Sequence, residues 1–333
     1  MDRAEAARVF TPAAAEALRA FPIEPVGLTL VALSENVTFK VTDERDGAAY
    51  VLRLHRPGYH TLAELTSERL WTRALAEAGV AVPIALATTA GADYVSVAVA
   101  ARGETRQAGM AGWTEGDILA DVLTDDTELA VLERHFEALG AIQAAMHAQS
   151  AAWRPPPDCT RRAVDAEGLM GEAPHWGPFW DHPVFTPADR RLVLATRDRI
   201  RAALARHGRD PATYGVIHAD LHSGNVLVGP GGLTVIDFDD AAFGWHAYDI
   251  AVGLTHHRAS PHLDAIQAAF VRGYRARRPL SEATIALIPM FLLIRGLAQI
   301  GWLGQRPEID ASGFIGANRD WVVARCKAFV EPC

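Results

Sequence analysis

Residues His218–Asp240 read HADLHSGNVLVGPGGLTVIDFDD, and this stretch decides the fold. Asp220 and Asn225 stand five apart on what reads as a loop, and Asp237 follows twelve residues later at the end of an apolar run. Asn225–Val228 and Leu233–Asp237 read as two short strands flanking Gly229-Pro230-Gly231-Gly232, so a hairpin can bring the three side chains around one point. Phosphoryl transfer from a nucleotide needs such a set. One carboxylate orients an attacking hydroxyl and accepts its proton, while a second carboxylate and an amide oxygen hold magnesium against the phosphates.

Upstream, the first third reads as strands with one helix. Leu28–Leu33 is a short apolar run, Asn36–Thr42 and Tyr50–Leu54 alternate, and the turn Asp43–Gly47 joins the latter two into a hairpin. Thr61–Ala78 reads as a helix that stops at Gly79, and Tyr94–Ala100 with Arg106–Trp113 form a second hairpin around Gly103. After Gly116 the pattern turns helical: Asp126–Ala148, then 187–207, then nearly everything beyond His246. A Pro-, Trp- and Arg-rich stretch from Trp153 to Phe185 lies between. The expected class is α+β, with a small β-rich lobe over 1–115 and a larger helical lobe over 116–333, joined near 110–116.

The bulk numbers exclude several functions. A chain of 333 residues suits two lobes better than one core. Half the residues are hydrophobic and 22% are charged, which is the profile of a globular protein rather than a disordered one. A net charge of -8 argues against a nucleic-acid partner. Cys159, Cys326 and Cys333 form no CxxC pair and are odd in number, so a reducing cytoplasm is expected. The first residues read as a short amphipathic helix, not a signal peptide, and the apolar stretch Ile285–Ile294 reads as too short to span a bilayer. No GxxxxGK[ST] occurs, and His218 with His222 lacks the glutamate and the helix of a zinc-binding HExxH.

The form His218-Ala219-Asp220-Leu221-His222-Ser223-Gly224-Asn225, with Ile236-Asp237-Phe238-Asp239, resembles the catalytic core of the aminoglycoside phosphotransferase and choline kinase family. HAD and DFD stand where protein kinases carry HRD and DFG. The helix Glu133–His147 and Asp249 in AYDIA extend the resemblance over most of the chain. It implies a two-lobed protein-kinase-like fold and an ATP- and magnesium-dependent kinase. Asp220 would be the catalytic base, Asn225 and Asp237 the metal ligands, and His218 and Asp249 structural supports of the loop.

The same resemblance places the nucleotide contacts. Ser34, Asn36 and Thr38 occupy the phosphate-covering turn, without the glycines of a kinase loop. Arg53 stands where kinases place a lysine, with Glu68 as its expected ion-pair partner and Lys40 as the alternative phosphate contact. Met110–Gly116, including Trp113, resembles the hinge that reads adenine. On the acceptor side, Asp239 and Asp240 are candidates for substrate or metal, or solvated turn charges. Trp176 and Trp180 either line a cleft or cover the helical core.

The order of motifs looks most like the homoserine-kinase-like and stress-response-kinase branches. The acceptor expected is a small hydroxylated molecule, an antibiotic such as an aminoglycoside or an amino-alcohol or homoserine-like metabolite. Two alternatives stand beside it: a Ser/Thr protein kinase of the stress-response type, and an inactive nucleotide-binding regulator. Only eleven residues separate Asp237 from Tyr248-Asp249, which leaves little platform for a docked peptide. The protein is expected to act as a monomer or homodimer, with no membrane partner.

Overall fold

The computed structural model describes residues 2–34, 36–124, 126–307, 309 and 311–330. The chain divides into two compact units. The first is Met1–Asp117 together with Arg154–Arg161 and Leu227–Asp239; the second is Ile118–Trp153, Arg162–Val226 and Asp240–Cys333. The first cut falls close to the expected joint, but two later segments return to the first unit, and one of them carries Asp237.

The first unit opens with helix α1 (Arg3–Leu18) and strands β1 (Pro25–Leu33), β2 (Val37–Asp43) and β3 (Ala49–Leu54). Helix α2 (Leu62–Glu77) follows, then β4 (Ala85–Leu86), β5 (Tyr94–Val99) and β6 (Glu104–Gly112). The sheet runs β1-β2-β3-β6-β4, and β5 also pairs with β6. β2 alternates as the sequence does: Val37, Phe39 and Val41 are buried in one core with Phe10, Ala13, Ala14 and Ala17 of α1. α2 starts on a capping box in which Thr61 and Glu64 satisfy each other's backbone N–H groups. Gly79, one residue past its C-cap, takes a φ of 81°, so the sequence stop signal is a left-handed turn.

In the second unit come β7 (Asp117–Ile118, straddling the cut), α3 (Leu119–Val122), α4 (Leu129–Ala152), β8 (Ala163–Val164), α5 (Ala166–Met170), α6 (Pro187–His207) and β9 (Tyr214–Ile217). The chain then returns to the first unit for most of the hairpin β10 (Val226–Gly229) and β11 (Gly232–Val235). β12 (Ala242–Trp245), α7 (His246–Leu254), α8 (Leu263–Arg275), α9 (Glu282–Ile285), α10 (Ile288–Gly304) and α11 (Ser312–Val330) complete it. β12 lies antiparallel to β9 and parallel to β8, a small sheet the sequence reading did not foresee.

α4 and α8 are in backbone contact. A Cβ placed on Gly140 would strike the Phe270 carbonyl, and one on Gly273 would strike the Glu137 carbonyl. Two glycines on facing helices let the backbones touch, and these helices carry His147 and Tyr274 beneath the 218–225 loop.

Two expectations need correction. The apolar helical stretch is longer than Ile285–Ile294: Glu282–Gly304 is long and apolar enough to cross a membrane. Its most apolar window is 61% buried within the protein, and Arg295 in its middle is itself buried, which is the setting of a core helix. Asp237 does not end a strand but lies two residues beyond β11, with a φ of 62°. Cys159 and Cys326 are free thiols, and Cys333 and Glu35 lie outside the described residues.

Gly273→Ala should lower stability to chemical denaturation by about 2 kcal/mol or more, because neither carbonyl can move without shifting a helix. Gly316→Ala, which meets only open space on α11, should leave stability unchanged or raise it by up to about 1 kcal/mol. Equal effects from the two changes would contradict the close helix contact.

Candidate active site

The 218–225 loop hangs from one buried carboxylate. β9 delivers His218, and Ala219 follows with a φ of 64°, a conformation that costs a non-glycine residue energy unless its surroundings enforce it. Asp249, fully buried on α7, does so: Oδ1 accepts from Ala219 N–H at 2.8 Å and Oδ2 from His218 N–H at 3.4 Å. His218 Nδ1 in turn accepts from Asp220 N–H at 3.3 Å.

Behind Asp249 runs a chain of hydrogen bonds whose directions are mutually fixed. Arg278 donates to the Tyr274 hydroxyl oxygen at 2.9 Å; an ionised Asp249 can only accept, so His147 carries its proton on Nε2 and its Nδ1 accepts from the Tyr274 hydroxyl at 2.9 Å. His147 Nε2–H is then left to donate to Asp249 Oδ2 at 3.0 Å. Burial, then the charge of Arg278, keeps His147 neutral. Burial lifts Asp249 to about 6, against the charge of His218 and the two backbone donors.

Beyond Ala219, Asp220 and Asn225 face each other. Asn225 Nδ2 donates to the Asp220 backbone oxygen at 2.9 Å and to Asp220 Oδ2 at 3.0 Å. Both partners are acceptors, so the amide orientation is determined and Oδ1 is turned away from them. Asp220 Oδ1 accepts from Arg295 Nη2, and His222 Nε2 lies 3.5 Å from Oδ2. Burial alone would raise the Asp220 carboxyl; Arg295, with His222 and His218, overrides it and holds the group well below the usual carboxylate range. His222 also accepts from Gly224 N–H through Nδ1, so its ring closes the loop's 3-10 turn.

The nucleotide-side candidates belong to the first unit. Arg53 on β3 donates from Nη1 to Asp237 Oδ1 at 2.8 Å. Burial works against the Arg53 charge, but Asp237, then Asp239 and Glu68, raise its pKa above the ordinary arginine value. Glu68 is buried with Oε2 unbonded, so it acts on Arg53 through its charge, while the ion pair itself goes to Asp237 rather than to the expected Glu68. Thr38 lies opposite Arg53 across the β2–β3 ladder, and Ser34 is exposed. Asn36 is committed to structure: its Oδ1 accepts from Arg56 N–H at 2.9 Å.

Met110 does not fit its expected nucleotide role. Its side chain is fully buried in the sheet core, and on β6 it sits opposite Leu52 on one side and Leu86 on the other. Next to it, Gly112 N–H donates to the Ile84 oxygen at 2.8 Å and Trp113 N–H to the Ala49 oxygen at 2.9 Å. Lys40 is engaged, 4.3 Å over the Trp113 ring and 3.4 Å from Glu115.

The acidic pair divides. Asp239 lies 3.5 Å from His55 Nδ1 and 3.8 Å from His60 Nε2, all three in the first unit. Asp240 is in the second unit, in the electrostatic surroundings of Arg295 and Tyr248. The tryptophans divide too. Trp176 lies under Arg295, 5.7 Å from ring centre to guanidinium carbon, whereas Trp180 packs on Arg197 of α6 and on Phe179.

The profile of the phosphotransferase enzyme family matches residues 28–282. The chain belongs to that family. It is 30% identical over 138 residues to amicoumacin kinase of Bacillus subtilis (strain 168), covering 39% of this chain and 41% of that protein. It is 30% identical over 182 residues to homoserine kinase of Neisseria meningitidis serogroup B, covering 52% and 53%. The matched stretches therefore span about half the length of these two relatives. Among solved structures, the microcompartment-associated aminopropanol kinase superposes with a TM-score of 0.81 at 30% identity, over 96% of each chain.

Sequence reading missed one residue of the candidate site, Arg295. Its signal was present: it is the single charge in IPMFLLIRGLAQIGWLG. A cation inside an apolar helix must be paired where it is buried.

Asp249 generates a pH signature. Its carboxyl sits near 6 in the fold and near 3.8 when exposed, so the folded chain holds the proton more tightly. The stability this contributes is complete below about pH 4 and is lost as pH rises through 6, roughly 3 kcal/mol in all. Subtracting the pH–stability curve of Asp249→Asn from that of the wild type should give a difference that falls between pH 4 and 6. A flat difference would place the carboxyl in an ordinary environment.

Proposed function

We propose that this protein transfers the γ-phosphoryl group of ATP to a hydroxyl of a small molecule in the cytoplasm, with Asp220 as the base. The observation that carries the reading is the Asn225–Asp220 contact, which commits the amide nitrogen and leaves the amide oxygen available to a hard cation. Asp237 supports the same reading: one carboxylate oxygen is on Arg53, and its side chain is 41% exposed. Among the described residues no three His, Cys, Asp or Glu side chains converge on a metal site, so a bound ion would complete its shell with phosphate oxygens. When bound, magnesium on Asn225 and Asp237 would neutralise phosphate charge.

Asp220 accepts the hydrogen bond of the acceptor hydroxyl and orients its oxygen toward the γ-phosphorus. The new O–P bond forms as the bond to the β-phosphate oxygen breaks; ADP leaves with that electron pair, and the hydroxyl proton passes to Asp220. A carboxylate held so strongly ionised is a weak base, so its main contribution is orientation. Arg53 supplies charge and a planar fork to the phosphates.

Asp220→Asn should leave ATP affinity near wild type and lower kcat by about 10²–10⁴-fold. A loss of less than about fivefold at saturating substrates would assign the base elsewhere. Arg53→Ala removes a phosphate grip that acts in ground and transition states alike, so KM for ATP should rise more than kcat falls. Arg53→Lys should be milder, since a point charge still reaches a phosphate. An unmoved KM would remove Arg53 from the nucleotide site.

A further inference from the structure

Asp237 raises in the first unit the question that Asp249 answers for Ala219 in the second. Its φ of 62° is left-handed, a conformation that a non-glycine residue keeps only where its surroundings enforce it. The Arg53 ion pair fixes the end of the side chain and leaves the backbone to be held by its neighbours. Before it, β11 ends at Val235, whose N–H donates to the Ala81 oxygen at 3.0 Å. After it, Phe238 meets Trp71 of α2 edge to face, with ring centres 5.6 Å apart. The Asp239 carbonyl accepts from Arg161, whose guanidinium also donates to the Glu64 carbonyl of α2 at 3.2 Å.

The last anchor is the Asp239 side chain. Its Oδ1 is buried and forms no hydrogen bond of normal geometry, yet it lies 3.5 Å from His55 Nδ1 and 3.8 Å from His60 Nε2. The two imidazoles are 5% and 4% exposed, so water cannot take their place. A carboxylate oxygen removed from water needs a donor or a positive charge beside it, and these rings are what stands there. His55 is itself held firmly: its backbone N–H donates to the Gln107 oxygen at 2.8 Å, and its ring meets Tyr94 at 5.5 Å. Gly58, at a φ of 76°, turns the chain so that His60 returns to the same oxygen. Only Phe238 separates the two acids, so a displacement of Asp239 is passed to Asp237.

We propose that His55, with His60, is a positioning residue for the metal carboxylate: by holding Asp239 it keeps Asp237 in its left-handed conformation and so sets how tightly the site takes up a divalent cation. The inference rests on the phosphotransfer reading above, in which Asp237 is a metal ligand. It adds to that reading two residues that act through another side chain.

The test compares the full chain with His55→Phe, which keeps a ring against Tyr94 and removes its nitrogens, with Asp239→Asn, and with the double variant. Two quantities are read: hydrogen exchange of the 236–239 amides without any ligand, and the magnesium concentration that half-saturates ATP binding in isothermal titration. Each single change should speed the exchange and raise the magnesium requirement by about tenfold or more. The double variant should go no further than the stronger single one, because both act through one contact. His55→Asn, whose amide nitrogen can stand in for Nδ1–H, should return both quantities to within about threefold of wild type. A magnesium requirement unmoved by His55→Phe would overturn the proposal. If Asp239→Asn still raised it, Asp239 would itself be a metal ligand; if only stability fell, the contact would serve folding alone. Additive losses in the double variant would overturn it too. ATP binding by the wild type that ignores magnesium would instead sink the metal reading of Asp237. Exchange at 236–239 then decides the positioning role: acceleration by His55→Phe sustains it, and no acceleration ends it. Should His55→Phe fail to fold, His60→Phe takes its place in the same cycle.

Discussion

Asp249 is the constraint on which the geometry of the 218–225 loop depends. A left-handed alanine is an unstable link in a loop that must hold a carboxylate in place, and the two N–H groups bound by Asp249 keep it there. The carboxylate is itself expensive to bury. It is tolerated because His147 donates to it, and His147 is oriented by Tyr274, which is oriented by Arg278. The last member of that chain also donates to the Ala212 carbonyl at 2.6 Å, two residues before β9. The loop is therefore braced at its start and beneath its bend by one connected network, fed by helices whose backbones touch through glycine.

The two candidate carboxylates are each answered by an arginine of the same unit, Asp237 by Arg53 and Asp220 by Arg295. Each arginine comes from a regular element, β3 or α10, and each acid from an irregular segment. A rigid cation thus positions a carboxylate whose own backbone is free of ladder hydrogen bonds. Arg295 also keeps Asp220 ionised, which burial by itself would oppose.

Most of what was legible in the sequence was local. HADLHSGN and IDFDD announced the loop and the acidic segment because their meaning lies in spacings of a few residues. Helix ends were legible wherever a cap or a glycine marked them, as at Thr61 and Gly79. What escaped depended on contacts between distant residues. Arg295 meets Asp220 across 75 positions and Arg53 meets Asp237 across 184, and no periodicity encodes such a meeting. Met110 was misread for a related reason: its neighbours in sequence suggested a hinge, but strands on both sides enclose it. Glu68 was read as a partner from its position on α2, whereas the shorter path for Arg53 led to Asp237.

The chain passes between its units five times, at 117/118, 153/154, 161/162, 226/227 and 239/240. This has a consequence for biosynthesis. The sheet of the first unit is complete in sequence at Gly112, but its acidic segment at Asp237 emerges 125 residues later (237 − 112). At roughly 5–20 residues per second, the nascent sheet waits about 6–25 s on the ribosome with Arg53 lacking its carboxylate partner. Vectorial synthesis therefore cannot finish the first unit before about half of the second has been made, and no single truncation point yields either unit alone.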